Sequence, residues 1–333
     1  MSTATPTIDH AAPPESGPRA LVRRLRGGDE VAHLITLVFA ATILLITTVM
    51  VFELWANSSL TRSKFGLGFF FSSTWDPVAE QFGALPFIFG TLVTSLLALT
   101  IAVPLGLAAA IFLAELAPRR LSDTTAFMID LLAAVPSVIY GLLGIFVVVP
   151  LMRTTIGPFL KASLGHVPVI GDLFKGPNYG VGLLTASIVL AIMIVPFIIS
   201  VSREVLLTVP REQREAALGL GATRWEATWK VVVPWARTGI MGSVFLALAR
   251  ALGETMAVTM VIGNAPKIAA SLFSPGYSIA AVIANEFAEA SGDMHRSALI
   301  ELGLVLFLIT FILNGCARLL IVATERGGGG RPA

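Results

Sequence analysis

The sequence is poor in charged residues. Only 13% of its 333 residues are Asp, Glu, Lys or Arg, whereas soluble globular domains contain about 25%. Apolar residues make up 55%, and this combination is typical of a protein embedded in lipid. The net charge of +2 also argues against a nucleic-acid-binding protein, which needs a concentrated basic face. We therefore expect a membrane protein that has no nucleic-acid partner.

Cysteine and histidine are also scarce. The single cysteine, Cys316, lies in an apolar run and has no second cysteine in the chain with which to form a disulfide. The four histidines are far apart and form neither an H-x-x-x-H nor an H-E-x-x-H pair; they are His10, His33, His166 and His295. A metalloenzyme is therefore not expected, and no metal site is predicted.

The sequence lacks a phosphate-binding P-loop. Such a loop needs G-x-x-x-x-G-K followed by Ser or Thr, and no lysine in the chain precedes either residue. We therefore expect no catalytic residue and no cofactor on this chain, so that any ATPase linked to it must be a separate polypeptide.

Long apolar runs are abundant. Six segments are long enough to cross a hydrocarbon core of about 30 Å, and they lack the period-two alternation of barrel strands. The sequence therefore predicts an all-α membrane protein with six transmembrane helices, kinked where Pro104, Pro136 and Pro196 fall inside them. The predicted spans are 31–54, 86–114, 124–151, 181–202, 238–263 and 299–322.

The distribution of Lys and Arg predicts that both termini are cytoplasmic. With that orientation the inner segments carry 15 basic residues and the longer outer segments carry 7, in keeping with the positive-inside rule. The polar segment 1–30 is predicted to be a disordered cytoplasmic tail, and 323–333 a second tail. Between them, the membrane domain of 31–322 contains one long cytoplasmic loop, 203–237.

The long loop has the signals of a short helix, a turn and a second helix. Good helix formers follow Pro210, and glycines at positions 219 and 221 then interrupt them. Thr223 and Glu226 have the spacing of a capping box, which predicts the start of a second helix that reaches Pro234.

This loop resembles the coupling loop of binding-protein-dependent ABC importers. That family carries E-A-A, three residues, Gly, nine residues and an I-x-L-P-like ending. Here Glu215, Ala216 and Ala217 are followed at the same spacing by Gly221 and by Val-x-Val before Pro234. The resemblance implies that these five residues couple the chain to a cytoplasmic ATPase. The alternative is a helix that lies on the membrane surface or packs against its own bundle, since a motif this short has false positives.

Two charged residues, Arg250 and Glu254, lie in the predicted fifth span. Their spacing places both on one face of a helix, and a charge at a helix centre costs about 2.5–3.5 kcal/mol on insertion scales, so it must face protein or water. One interpretation is a structural pair that neutralises itself. The other is that the guanidinium lines a path for an oxyanion, with Glu254 holding Arg250 and Thr255 offering a hydroxyl nearby.

Several motifs together resemble the permeases of phosphate-specific importers. The resemblance covers about 31–322 and is clearest in R-A-x-G-E-T-M-A-V, which here is Arg250–Val258. The other matching segments are 82–91, 131–141, 263–266, 274–277 and 282–286. Of the two permeases in such a system, the C-type subunit is the more similar. The resemblance implies the type I ABC importer permease fold, a multi-pass location in the bacterial inner membrane, and a transport role for Arg250 and Glu254.

The resemblance also implies a set of partners. These are a cytoplasmic ABC ATPase dimer that binds ATP and Mg, a second permease of the A-type, an extracytoplasmic phosphate-binding protein, and membrane lipid. The chain itself would be a non-catalytic permease subunit that translocates inorganic phosphate into the cytoplasm.

Alternatives remain at this point. The chain could be the A-type sister, or a permease for another oxyanion such as molybdate or sulfate. In a different class, an ion-coupled secondary transporter would use Arg250 and Glu254 for proton coupling. A membrane-embedded enzyme would need a nucleophile–base or metal constellation, and the sequence has none.

Four other carboxylates near the predicted spans are expected to be structural. Glu53 and Glu115 fall at helix ends, where they would reach headgroups or water. Asp130 would make an interhelical contact, and Glu301 lies near the outer start of the last span.

Overall fold

The computed structural model describes residues 29–168 and 171–327. This part of the chain is helical and contains no strand, only one isolated bridge between Asp76 and Gln81. Most of both predicted tails lies outside the described residues, but the structure places 29–30 and 323–327 inside helices. The predicted all-α membrane fold is confirmed.

The described helices are numbered here in chain order. They are α1 (Asp29–Asn57), α2 (Ser59–Phe65), α3 (Gly68–Phe71), α4 (Leu85–Leu116), α5 (Arg119–Ala133), α6 (Ser137–Leu164), α7 (Leu183–Leu207), α8 (Arg211–Gly219), α9 (Arg224–Leu252), α10 (Met256–Val261), α11 (Ile279–Glu286) and α12 (Asp293–Gly327). Within the described ranges, six are long and apolar enough to cross a membrane, namely α1, α4, α6, α7, α9 and α12. Six spanning helices were predicted from the apolar runs, and six are found.

Among the described residues, 29–53 belong to one compact unit and those from Leu54 onward belong to a second. The first unit contains most of α1, whose side chains from Val31 to Met50 are all exposed. Its threonine hydroxyls donate to carbonyls four residues earlier, at 2.8–2.9 Å; these are Thr36, Thr42, Thr47 and Thr48. Such bonds let α1 face hydrocarbon with these hydroxyls satisfied inside the helix.

The core of the second unit is built around α7. In the apolar 18-residue stretch of this helix 67% is buried, against 33% in that of α4 and 22% in that of α12. Its side chains are mostly apolar, as expected of a helix largely surrounded by others. Gly106 lets α4 approach α7 closely, because a methyl group there would lie 2.8 Å from the side chain of Ile198.

The third predicted span, 124–151, differs from the structure because it is broken. Helix α5 ends at Ala133 and α6 begins at Ser137, with Pro136 in extended backbone between them. A proline disfavours helical backbone in the residue before it. Here that residue is Val135, and the helix is broken there. Pro104 and Pro196, in contrast, lie inside α4 and α7.

The fifth predicted span, 238–263, is also interrupted. Helix α9 begins earlier, at Arg224, and ends at Leu252, after which α10 starts at Met256. The carboxylate of Glu254 accepts a hydrogen bond from the backbone N–H of Ala257 at 3.1 Å, which caps the first turn of α10. The apolar run continues through this point, but the helix does not.

An aromatic cluster joins the segment before α4 to the segments around α11 and α12. The ring centroid of Trp75 lies 4.8 Å from those of Phe82 and Phe87, and its indole N–H donates to Glu286 at 3.0 Å. His295 contacts the same carboxylate at 3.0 Å. Burial raises the pKa of the nearby Tyr277 phenol above its ordinary value, which favours the neutral hydroxyl still further.

We predict that Gly90→Ala destabilises the chain by about 1–3 kcal/mol, since an added methyl would overpack a filled contact. That methyl would lie 2.1 Å from the backbone carbonyl oxygen of Tyr277, which cannot move independently of its segment. Thermal unfolding of the purified chain in detergent, followed by circular dichroism, measures the effect.

The matched control is Gly242→Ala in α9, where an added methyl meets nothing within 4 Å. There, alanine should be neutral or slightly stabilising, because it is the better helix former. Equal melting temperatures for Gly90→Ala and the unmodified chain would contradict the predicted close approach.

Candidate functional site

The elbow, residues 211–230, comprises α8, a glycine turn and the first turns of α9. The chain turns at Gly221, whose φ of +86° lies in the left-handed region that favours glycine. Thr223 then caps α9: its hydroxyl accepts the N–H of Glu226 at 3.2 Å, and the carboxylate of Glu226 accepts the N–H of Thr223 at 3.0 Å. The predicted helix, turn and capping box are all confirmed.

A groove of about 730 Å³ lies between α8 and the start of α9. Three of the five predicted coupling residues, Ala216, Ala217 and Gly221, line it. Small side chains at these positions leave room for a second structure to approach the backbone. Pro234 lies outside the groove, exposed in α9 after the π-helical turn Thr228–Val232.

The side chains of Glu215 and Leu220 are exposed on the elbow. The carboxylate of Glu215 is exposed and makes no hydrogen bond or ion pair with any described residue. Leu220, in the turn, is 90% exposed, although a large apolar side chain normally lies inside a protein. Both side chains are therefore accessible to a second protein.

Arg250, Glu254 and Thr255 lie at the break between α9 and α10. Arg250 is in the last turn of α9, and the other two residues occupy the non-helical link. The expected shared helical face does not form, because the helix ends at Leu252 before it can reach Glu254. No ion pair joins Arg250 to Glu254 within the described residues. The carboxylate instead caps α10, which corrects the expectation that it holds the guanidinium.

The guanidinium of Arg250 lies against an aromatic ring rather than a carboxylate. Its central carbon is 5.9 Å from the ring centroid of Phe197 in α7, at the outer limit of a cation–π contact. The residue is exposed although it lies in a spanning helix. Thr255 is part-buried, and its hydroxyl donates to the carbonyl of Gly253 at 3.3 Å. This arrangement leaves a fixed positive charge whose planar donors can bind an oxyanion.

Of the four other carboxylates near the spans, Glu53 is exposed, and the remaining three contact named partners. Asp130 accepts a hydrogen bond from Ser200 at 2.7 Å, which is the interhelical contact expected of it. Glu301 is buried and pairs with Arg62 at 3.5 Å. Glu115, expected to reach headgroups or water, instead pairs with Arg214 of the elbow at 2.7 Å. That pairing is a correction, because the two residues lie 99 positions apart and share no local sequence signal.

In the described ranges, no group of three His, Cys, Asp or Glu side chains is placed to hold a metal ion. Cys316 is exposed and free.

A family model and several known proteins resemble this chain closely enough to define its family. Residues 102–324 match the family described as binding-protein-dependent transport system inner membrane component. A protein of Mesorhizobium japonicum named phosphate transport system permease protein PstC is 48% identical over 306 residues, which is 92% of this chain and 94% of the relative. A protein of the same name from Pasteurella multocida is 50% identical over 291 residues, covering 87% and 91% of the two chains.

Two solved structures share the fold. A chain of the inward-facing MetNI methionine ABC transporter aligns with a TM-score of 0.51 at 16% identity, over 75% of this chain and 99% of that one. A chain of a bacterial ABC transporter that imports the acidic polysaccharide alginate aligns with a TM-score of 0.50 at 16% identity, over 87% and 99%. With the family match covering the elbow, α9 and α10, the chain belongs to the inner membrane components of binding-protein-dependent transport systems.

Proposed function

We propose that the chain is the C-type permease subunit of an ATP-driven importer, which moves inorganic phosphate across the bacterial inner membrane into the cytoplasm. The observation that carries the proposal is the exposed guanidinium of Arg250 in a spanning helix, unpaired with any carboxylate among the described residues. The names of relatives that are 47–50% identical over about nine-tenths of the chain support phosphate as the anion.

Arg250 suits phosphate for two physical reasons. Its guanidinium keeps its charge at every physiological pH, and its planar fork matches the oxygens of a tetrahedral oxyanion. The aromatic face of Phe197 attracts the cation without competing for its N–H donors. Phosphate would therefore find these donors available as it passes the break between α9 and α10.

The elbow is proposed to be the docking site for a separate ATPase dimer that binds ATP and Mg. The positive-inside bias supports a cytoplasmic position for it and for both termini. Its groove is lined by Ala216, Ala217 and Gly221, so a helix of the ATPase could lie close to the backbone. Glu215 and Leu220 would be covered in that complex.

The remaining partners are a second permease of the A-type and an extracytoplasmic binding protein that delivers phosphate. Closure of the ATPase dimer on ATP would push the elbow and open the helices outward, and hydrolysis would return them. Phosphate released from the binding protein would meet Arg250 on its way inward.

We predict that Arg250→Gln lowers ATP-driven phosphate uptake by about tenfold or more, because hydrogen bonds to a charged group contribute roughly 1.5–3 kcal/mol. Uptake of radiolabelled phosphate by proteoliposomes that contain the whole complex measures this. Arg250→Lys should recover only part of the rate, since lysine keeps the charge but lacks the fork.

The control for Arg250 is Arg120→Gln, which removes an exposed guanidinium at the start of α5. That variant should transport normally. Normal uptake by Arg250→Gln would remove Arg250 from the path. Uptake that resists vanadate but is abolished by an uncoupler would instead identify an ion-coupled transporter.

We predict that Gly221→Ala lowers the amount of ATPase that copurifies with the permease by about fivefold or more. Left-handed backbone costs a residue with a Cβ about 1–2 kcal/mol, and such a cost changes an equilibrium by a factor of about 5–30. The turn would relax and misalign the groove. Quantitative copurification from membranes is the measurement.

Two residues before it, Gly219 offers a matched control, because it lies in α8 and an added methyl meets nothing within 4 Å. Gly219→Ala should retain the ATPase at the normal level. If both variants retained it equally, the shape of the turn would not determine docking.

A further inference from the structure

One guanidinium joins α8 to the ends of α4 and α7. Within the described residues, Arg214 is the only side chain of α8 that makes a hydrogen bond or an ion pair. The other close contacts of α8 are mainly with the first turns of α9, inside the elbow itself. Arg214 is therefore the polar link between α8 and the rest of the bundle.

The geometry of this link is bidentate. Nε of Arg214 lies 3.1 and 3.2 Å from the two carboxylate oxygens of Glu115, and Nη2 lies 2.7 Å from Oε1. Nη2 also donates to the carbonyl of Leu206 at 2.8 Å, and Nη1 donates to the carbonyl of Val209. The Arg214 and Glu115 side chains are only 21% and 11% exposed. Arg214 thus contacts both the end of α4, through Glu115, and the end of α7, through two backbone carbonyls.

A π-helical turn at the end of α4 places Glu115. Over Phe112–Leu116 the helix widens, and the N–H of Ala117 donates to the carbonyl of Phe112 at 2.8 Å. Such a turn inserts one residue into the α-helical spacing and changes the direction of the side chains in it. The carbonyl of Leu113 is satisfied by the hydroxyl of Ser122 at 2.7 Å, so the widened turn is held in place from α5.

The linked helices continue to the charged site. Helices α4 and α7 pack closely, with Gly106 against Ile198, and the neighbouring Phe197 of α7 lies against Arg250. Displacement of α7 by the elbow would therefore move the aromatic face on which the guanidinium rests.

We propose that Arg214 is a positioning residue for transport: through Glu115 it passes the movement of the elbow to α4 and α7, and so to the surroundings of Arg250. This inference rests on the proposed function. On this inference, Arg214 determines how much phosphate is moved for each ATP hydrolysed. It does not determine whether the complex assembles.

The experiment compares Arg214→Gln, Glu115→Gln, Arg214→Lys and the exchanged pair Arg214→Glu with Glu115→Arg in the whole complex in proteoliposomes. For each, three quantities are measured: copurified ATPase, ATP hydrolysis, and phosphate taken up per ATP hydrolysed. We expect the two glutamine variants to keep the ATPase and to lower uptake per ATP by about tenfold. The double variant and Arg214→Lys should recover part of it, because each restores an ion pair.

The matched control is Arg119→Gln. Arg119 pairs with Asp123 at 4.0 Å near the same end of the bundle, but its side chain is 93% exposed, so its loss should leave uptake per ATP unchanged. An unchanged ratio in Arg214→Gln and Glu115→Gln overturns the inference. Loss of the ATPase from all four variants, Arg214→Lys included, overturns it as well, because the pair would then act only in assembly. If the unmodified complex shows no ATP-driven phosphate uptake, the proposed function itself fails, and the two failures are distinguishable.

Discussion

The fold depends on one constraint, which is that backbone polar groups in hydrocarbon must find partners within the protein. Helices meet this requirement along their length, so every interruption needs a substitute. At the break between α5 and α6, the hydroxyl of Tyr140 donates to the carbonyl of Leu132 at 2.7 Å. At the break between α9 and α10, Glu254 accepts the N–H of Ala257. The interruptions are therefore specific structures, each closed by a side chain that the sequence supplies.

The same constraint bears on the placement of Glu254 and Arg250. A carboxylate that caps α10 has a structural task and leaves Arg250 without an anionic partner among the described residues, and an aromatic ring then takes the place of a counter-ion. A guanidinium paired with a carboxylate would bind a passing anion weakly, since its donors would be occupied. Separation of Glu254 from Arg250 by the helix break thus favours a path for anions over a self-neutralising pair. The role of Glu254 as the cap of α10 thus accounts both for the helix break and for the absence of a carboxylate beside Arg250 among the described residues.

The sequence predicted those features whose signals are local. Apolar runs predicted six spanning helices, and Thr223 with Glu226 predicted the start of α9, because a capping box is closed by residues three positions apart. The break after Leu252 escaped prediction since hydropathy is unaffected when a helix ends inside an apolar run. The partner of Glu115 escaped because it depends on how α4 and α8 pack, and neither residue has a neighbour in sequence that indicates the other. Tertiary packing decides the pairing of Glu115, and hydrophobic periodicity records neither feature.

In the proposed mechanism, movement of the elbow reaches the site of Arg250 only if the parts between them are rigidly joined. The elbow has a fixed shape of its own, set by the left-handed turn at Gly221 and by the Thr223 cap. At the other end, α7 is the most buried of the spanning helices in the described ranges, so its movement is coupled to that of its neighbours. Between them, a part-buried bidentate contact resists separation far better than an exposed ion pair, which water and salt would weaken. The side-chain contact between α8 and α4 that the structure shows is that of Arg214 with Glu115, so in the proposed mechanism movement of α8 reaches α4 through this pair.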